Sequence, residues 1–330
     1  MDGVIIINKP KQYTSHDIVN IVRKQLNTKK VGHTGTLDPN ATGVLPILIG
    51  RATKISKYLV EHKKTYIATI KLGEKRDTGD SEGKIIEKDL ELKSIERDRI
   101  EEVLKSFLGK QKQIPPIYSA IKIDGKKLYE YARQGQAVEI KPRDIEIYSI
   151  CLKSYKKDEI IFEAECSKGT YVRVLCEDIA KELGTVGYMK ELQRTTVDKF
   201  KIEQSIELEN LNQETVEKNL ITIENIFKDK EKLELNDRKL ELFLNGVQLT
   251  HELEDNTYRI YNKNKFIGLG SVKNNLLKRD IVIWDLLWYN NNINCKCCRG
   301  RVPSRPAKEN TKKCRGRTPG RPADMWRIKM

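Results

Sequence analysis

Asp38 is the single acid in GHTGTLDPNATGVLP, residues 32–46, a stretch rich in glycine, threonine and proline. A carboxylate locked between Leu37 and Pro39 has few directions to point, which raises the question of what it does there. The plain answer is an Asp-Pro turn whose carboxylate caps a nearby backbone N–H. Arg173 lies in KGTYVRVLCEDIAKELG among apolar neighbours. A buried arginine there needs a carboxylate partner from elsewhere in the chain. Tyr66 and His33 read either as site residues or as ordinary hydrogen-bonded core. Other chemistries lack their signatures. The four histidines, His16, His33, His62 and His251, form no HExxH and no ligand spacing, and there is no GK[ST] phosphate loop, GxSxG elbow or GxGxxG turn.

These residues need a scaffold. Val4–Ile7 reads as a buried strand, and Thr14 or Ser15 can cap a helix with the stripe Ile18, Val19, Val22 and Leu26. Ala52–Val60 reads as a short helix. Residues 63–73 alternate as a strand with Tyr66, Ala68, Ile70 and Leu72 on one face. Ser94 can cap a helix with Ile100, Val103, Leu104, Phe107 and Leu108 as its stripe, stopped by Gly109. IIFEAECS, 160–167, is a strand, and Gly169 turns it into a helix ending at Gly184. Residues 113–147 mix turn signals with basic and aromatic side chains. After about residue 230 the sequence predicts a small separate β-rich module. It has a short helix in DRKLELFLNG, a hairpin turning near Asn262–Asn264, and a last strand in DIVIWDLLW.

The formal net charge of +15 favours an anionic partner, nucleic acid first. From Asn290 onward twelve basic residues face only Glu309 and Asp324, so the tail holds +10 of that charge. Binding by the body must therefore be argued from its site. The tail repeats CRGRVPSRPA and CRGRTPGRPA and has too few apolar residues to fold, which predicts a disordered basic segment, 290–330. Its GRxP repeats resemble AT-hook arms, and Cys295, Cys297, Cys298 and Cys314 offer zinc-type ligands. Seven cysteines without a framework spacing indicate a reducing compartment. No apolar run is long enough to span a membrane, and MDGVIIINKP lacks the basic start of a signal peptide.

GHTGTLDPNATGVLP, KKTYIATIKLGEKRDTGDSEG, QIPPIYSAIKIDGKKLYEYARQG and CSKGTYVRVLCEDIAKELG together resemble the bacterial TruB family, the tRNA pseudouridine-55 synthases. The likeness runs in order from about residue 3 to residue 200. It implies an α/β (α+β) pseudouridine-synthase fold with a mixed, largely antiparallel sheet flanked by helices. The catalytic domain would span 1–232 and a PUA-like RNA-binding domain 233–289. It implies isomerisation of one uridine in the TΨC loop without a cofactor or metal, in a cytoplasmic monomer whose partner is the tRNA T-arm and which needs no protein partner.

By the same resemblance Asp38 is the nucleophile, on ribose or on the uracil ring, and Arg173 pairs with it. Tyr66 stacks on the flipped base and is placed to move a proton. Tyr171 and Leu192 line the pocket, and His33 helps hold the rearranged loop. Residues 113–147 match a clamping insertion in which Lys122, Lys126, Lys127, Arg133, Lys141 and Arg143 could contact phosphates, with Tyr118 and Tyr129 between them. The family usually reads close to LRRTxxGxF after the helix. Here ELQRTTVDKF places Gln193 at an arginine and Asp198 at the glycine. Two alternatives stay open: an RNA-binding or tRNA-folding protein with incidental or lost activity, and a related synthase on another RNA.

Overall fold

The structure is a computed structural model and describes residues 1–60, 63–119, 121–136 and 138–283, the side chains of Tyr129 and Arg133 excepted. The tail readings, including its cysteines and GRxP repeats, lie outside the described residues.

The chain opens with β1 (Gly3–Lys9), α1 (Ser15–Gln25), β2 (Val31–His33) and β3 (Thr42–Ile49). A 3-10 turn over Gly50–Ile55 leads into the short α2 (Ser56–Leu59), then β4 (Lys64–Leu72) and the hairpin β5 (Glu74–Arg76) and β6 (Ile85–Lys88). Next come α3 (Arg97–Ser106) and β7 (Gly109–Gln113). The insertion follows, with β8 (Lys122–Ile123), β9 (Lys126–Lys127) and α4 (Leu128–Arg133). The body closes with β10 (Arg143–Lys156), β11 (Glu159–Cys166), α5 (Val172–Glu182), β12 (Gly187–Val197), β13 (Phe200–Lys201), β14 (Ile206–Glu207), α6 (Gln213–Asn219) and α7 (Ile223–Ile226).

One sheet organises the body, in the order β14-β1-β3-β12-β4-β11-β10-β7, with β2 on β3 and β13 on β12. Only β1–β14 and β3–β12 pair in parallel, so the sheet is mixed and largely antiparallel, as read from the sequence. The run VIII is apolar throughout because both faces of β1 are covered. Ile5 and Ile7 pack with α1 on one side, while Val4 and Ile6 pack with Val44, Leu48 and Ile226 on the other. Tyr66, Ala68, Ile70 and Leu72 of β4 face a third cluster built with α3 and α5. Thr14 caps α1 through a reciprocal box with Asp17.

The second sheet follows the order β15-β17-β18-β19-β16, with α8 (Asp237–Leu244) beside it. Its strands are β15 (Lys232–Glu234), β16 (Leu249–Thr250), β17 (Thr257–Asn262), β18 (Lys265–Lys273) and β19 (Leu276–Val282). Its Leu269 and Ile281 share a core with Val4, Ile6 and Leu48 of the body. Residues 1–284 accordingly form one compact unit.

Several local expectations need correction. Glu96, not Ser94, stands at the start of α3, with no side-chain cap. Ile95 packs against the core and holds the chain extended up to that point. Leu108 is exposed, outside the stripe. The last strand spans Leu276–Val282, starting before Asp280 because Asn274 and Asn275 both take positive φ and close a tight hairpin that the sequence reading passed over, and residues 284–288 of the expected strand lie outside the described residues. The expected turn at 262–264 is present, with Lys263 and Asn264 at φ 49° and 62°.

Asp198 stands where the family has glycine, and its φ is +53° at the β12–β13 turn. Aspartate is one of the few residues that tolerate this region. Asp198→Val should therefore destabilise the fold by about 1–2 kcal/mol, while Asp198→Gly should stay within about 0.5 kcal/mol of the parent in urea unfolding.

Candidate active site

The Asp38 loop joins β2 to β3 at the centre of the sheet. Its turn closes through the main chain, with Ala41 N donating to Asp38 O at 3.1 Å. The carboxylate is thus not used as a local cap. It instead meets Arg173, whose Nε lies 3.3 Å from Asp38 Oδ2. The loop is fastened on both sides of the acid. Ser15 Oγ accepts from Leu37 N (2.8 Å) and donates to Leu37 O (3.3 Å). Lys9 Nζ and Gln12 N both donate to Pro39 O. Lys9, at the buried end of β1, spends its other two donors on Pro10 O and Tyr13 O. Burial pulls its ammonium down to about 8, so it stays charged at neutral pH.

Arg173 sits in the first turn of α5, the wrong end of a helix for a cation. It is held there by its partners. Beyond Asp38, Nη1 donates to Asp80 Oδ2 (3.2 Å) and Thr78 O (3.3 Å), and Nη2 donates to Tyr118 O (3.0 Å). The Arg173 side chain is 10% exposed, Asp80 13% and Asp38 40%, so Asp38 alone of the three presents its carboxylate to solvent. Asp80 belongs to the β5–β6 turn, which docks on β12 through Met189 N donating to Gly79 O. Asn40, next to the Asp38 turn, donates to Glu82 of the same hairpin.

Tyr66 lines the same cavity. On β12, Arg194 pairs in register with Tyr66 of β4 on one side and Gly43 of β3 on the other. Gly43 has φ +104°, and a Cβ there would stand 2.2 Å from Arg194 O. The Arg194 side chain is almost fully buried and donates to Val44 O (2.8 Å) and Gly35 O (3.2 Å). Its guanidinium also lies close enough to the Tyr66 hydroxyl to act on it electrostatically. Burial pushes the Tyr66 hydroxyl up, and Arg194 opposes that push, so Tyr66 is a neutral phenol at pH 7. A cavity of about 530 Å³ is lined by Asp38, Tyr66, Arg173, Tyr171, Leu192 and Arg194, among others. That is a size that encloses a small ligand or one extruded nucleotide.

The sequence-derived residues therefore separate into two groups. Asp38, Tyr66, Arg173, Tyr171 and Leu192 meet in one cavity. His33 lies behind it, where Nδ1 accepts from Gly35 N at 3.2 Å and holds the loop from within. Lys122, Lys126 and Lys127 lie on the β8–β9 hairpin and do not line the cavity. Lys126 stacks over Tyr131 and bonds Gln134. The side chains of Arg133 and Tyr129 lie outside the described residues.

Four residues escaped the sequence reading. Asp80 was available as an acid inside KRDTGDSEG, and Arg194 as the arginine retained in ELQRTT. Lys9 was readable only as a charge ending a buried strand. Gln113 brackets the Tyr171 peptide, accepting from its N (2.8 Å) and donating to its O (3.1 Å), and left no sequence signal. Among the described residues no group of three His, Cys, Asp or Glu is placed to hold a metal.

His33 gives a pH prediction. Burial first, then the nearby charges of Arg194 and His16, lowers its pKa below the ordinary 6.5. A depressed pKa means the unfolded chain binds the proton first, so stability is full above pH 6.5 and falls as pH drops toward the lowered value. His33→Gln should flatten that acid limb, by up to about 1.4 kcal/mol per pH unit, in urea melts between pH 7.5 and 5.5.

Comparison with known proteins gives the family and the fold. Residues 23–172 match the TruB family pseudouridylate synthase N-terminal domain, and residues 173–231 match the tRNA pseudouridylate synthase B C-terminal domain. The chain is 44% identical to tRNA pseudouridine synthase B of Francisella philomiragia over 273 residues, covering 82% of this chain and 90% of that protein. It is also 44% identical to the protein of that name from Clostridium kluyveri over 281 residues, covering 83% and 96%. The fold is shared with a chain in the crystal structure of a Cbf5–Nop10–Gar1 complex, with TM-score 0.65, 24% identity and coverage of 87% and 86%. With its fastened Asp38 loop and the Arg173 fork behind it, the chain belongs to the TruB family of pseudouridine synthases.

Proposed function

We propose that this protein converts the uridine at position 55 of the tRNA T loop to pseudouridine, with Asp38 as its nucleophile. The observation that carries the reading is the accessible Asp38 carboxylate, held by Arg173 in a cavity that Tyr66 also lines. A module that only bound RNA would have no use for a carboxylate there, since it repels phosphate. Membership of the family and the two relatives' names support tRNA as the substrate. All the groups described come from one chain, so the reading needs no second copy. On this reading the protein meets its tRNA in the cytoplasm.

The reaction breaks the C1′–N1 bond and forms C1′–C5. The C5 proton leaves and N1 gains one, so atoms and electrons balance without an external reagent. The target base must first leave its stack, at a cost of a few kcal/mol, and the Tyr66 face offsets part of it. Asp38 then attacks ribose C1′ or the uracil ring, and either adduct breaks down again. Arg173 keeps the acid aimed. Its own aim comes from Asp80, Thr78 O and Tyr118 O, which leave the fork one orientation. The neutral Tyr66 hydroxyl, with Arg194 close by, is positioned to exchange a proton with the turned base.

On one unmodified tRNA transcript, the parent chain should place pseudouridine in the T loop, read by a carbodiimide primer-extension stop. Asp38→Ala should bind the same tRNA with no detectable product, a loss of at least about a thousandfold. Asp80→Asn should keep binding and lose about a hundredfold in rate, the scale of a misaimed nucleophile. Parent chain that binds tRNA without making pseudouridine would return the protein to the binding-module reading.

A further inference from the structure

Ser119 lies in QIPPIYSA at the start of the insertion, next to Tyr118, whose carbonyl takes one arm of the Arg173 fork. It lines the same cavity as Asp38, Tyr66 and Arg173, and is 6% exposed. Its backbone is settled, with Ser119 N donating to Ile117 O at 3.0 Å. Its hydroxyl is not: Ser119 Oγ is buried and has no hydrogen-bond partner among the described residues. Several other hydroxyls in the same wall have partners. Ser167 Oγ accepts from Glu146 N at 2.9 Å, and Thr170 Oγ1 donates to Ser167 O at 3.0 Å.

A buried hydroxyl without a partner costs free energy that an alanine would not. Its place on the cavity wall, one residue from the segment that holds the catalytic arginine, points to a partner that arrives with the ligand. A serine hydroxyl can donate or accept, and rotation about χ1 redirects it without moving the backbone. An extruded uridine offers suitable oxygens: the ribose 2′-hydroxyl on one side and the uracil carbonyls on the other.

We propose that Ser119 is a substrate-binding residue of this active site, whose hydroxyl hydrogen-bonds an oxygen of the flipped nucleotide. The inference rests on the pseudouridine-synthase reading. It adds a contact at the junction between the insertion and the catalytic fork. Tyr118 O already ties that junction to Arg173, so occupancy of the pocket and placement of Arg173 share one short segment of chain.

Ser119→Ala separates this role from a structural one. The full-length variant would be assayed with the parent on the same tRNA transcript, alongside thermal unfolding. Removing an unpartnered hydroxyl should leave the melting temperature unchanged or raised. Losing the substrate contact should lower kcat/KM by roughly three- to tenfold. Transcripts with 2′-deoxyuridine, 2-thiouridine or 4-thiouridine at the target locate the oxygen. The substrate lacking the contacted atom already bears the loss, so Ser119→Ala should cost nothing further on it. A variant within twofold of the parent on the normal transcript overturns the proposal. So does a lowered melting temperature with activity lost only in proportion to the unfolded fraction, or a full additional loss on all three analogues. If the parent itself forms no pseudouridine, the underlying enzyme reading fails and the Ser119 contact falls with it. Product from the parent with an unaffected variant removes Ser119 alone.

Discussion

The site depends on one guanidinium. Arg173 stands where a helix N-terminus repels a cation, with its side chain withdrawn from water. Both penalties are offset by two carboxylates and two carbonyls arranged around a planar fork. Those four acceptors come from the Asp38 loop, the β5–β6 hairpin and the root of the insertion. A single side chain thereby brings together segments far apart in sequence. Of the two carboxylates, the buried Asp80 acts as the anchor and the accessible Asp38 remains for chemistry.

The second constraint is the stiffness of the Asp38 loop. Leu37 is bracketed by Ser15, Pro39 is held by Lys9 and Gln12, and Gly35 is held by Arg194 and His33. Apart from Gln12, in the turn after β1, these partners lie on β1, α1, β2 and β12. The apolar cores thus serve the site directly, since without two covered faces on β1 the Lys9 ammonium would sit in water rather than under Pro39. Arg194 plays the matching part for Tyr66, and Gly43 leaves room for its backbone.

Much of this was legible in the residues. Alternation marked β4 and placed Tyr66 inward, and a continuous apolar run marked the doubly covered β1. The demand of a buried arginine for an acid anticipated the Arg173 pair. What escaped were partnerships set by tertiary distance. Nothing local distinguishes Asp80 from a turn aspartate, or Lys9 from a surface lysine beyond the end of a strand. Gln113 bonds a peptide 58 residues away. The cap of α3 and the Asn274–Asn275 turn were missed because packing of Ile95 and a two-asparagine hairpin outweighed the nearer signals. The Asp198 departure was visible as a change from glycine, and only the φ of +53° explains why aspartate serves there.

The central claim is that fork geometry at Arg173, rather than positive charge alone, makes Asp38 reactive. Single-turnover pseudouridine formation by Arg173→Lys tests it directly. Lysine keeps the charge but cannot reach Asp38, Asp80 and the two carbonyls with one planar group. The expected result is a fall of about a hundredfold or more in the rate of the chemical step, with tRNA affinity close to that of the parent. A lysine variant that reacts within threefold of the parent would show that charge suffices and contradict the account.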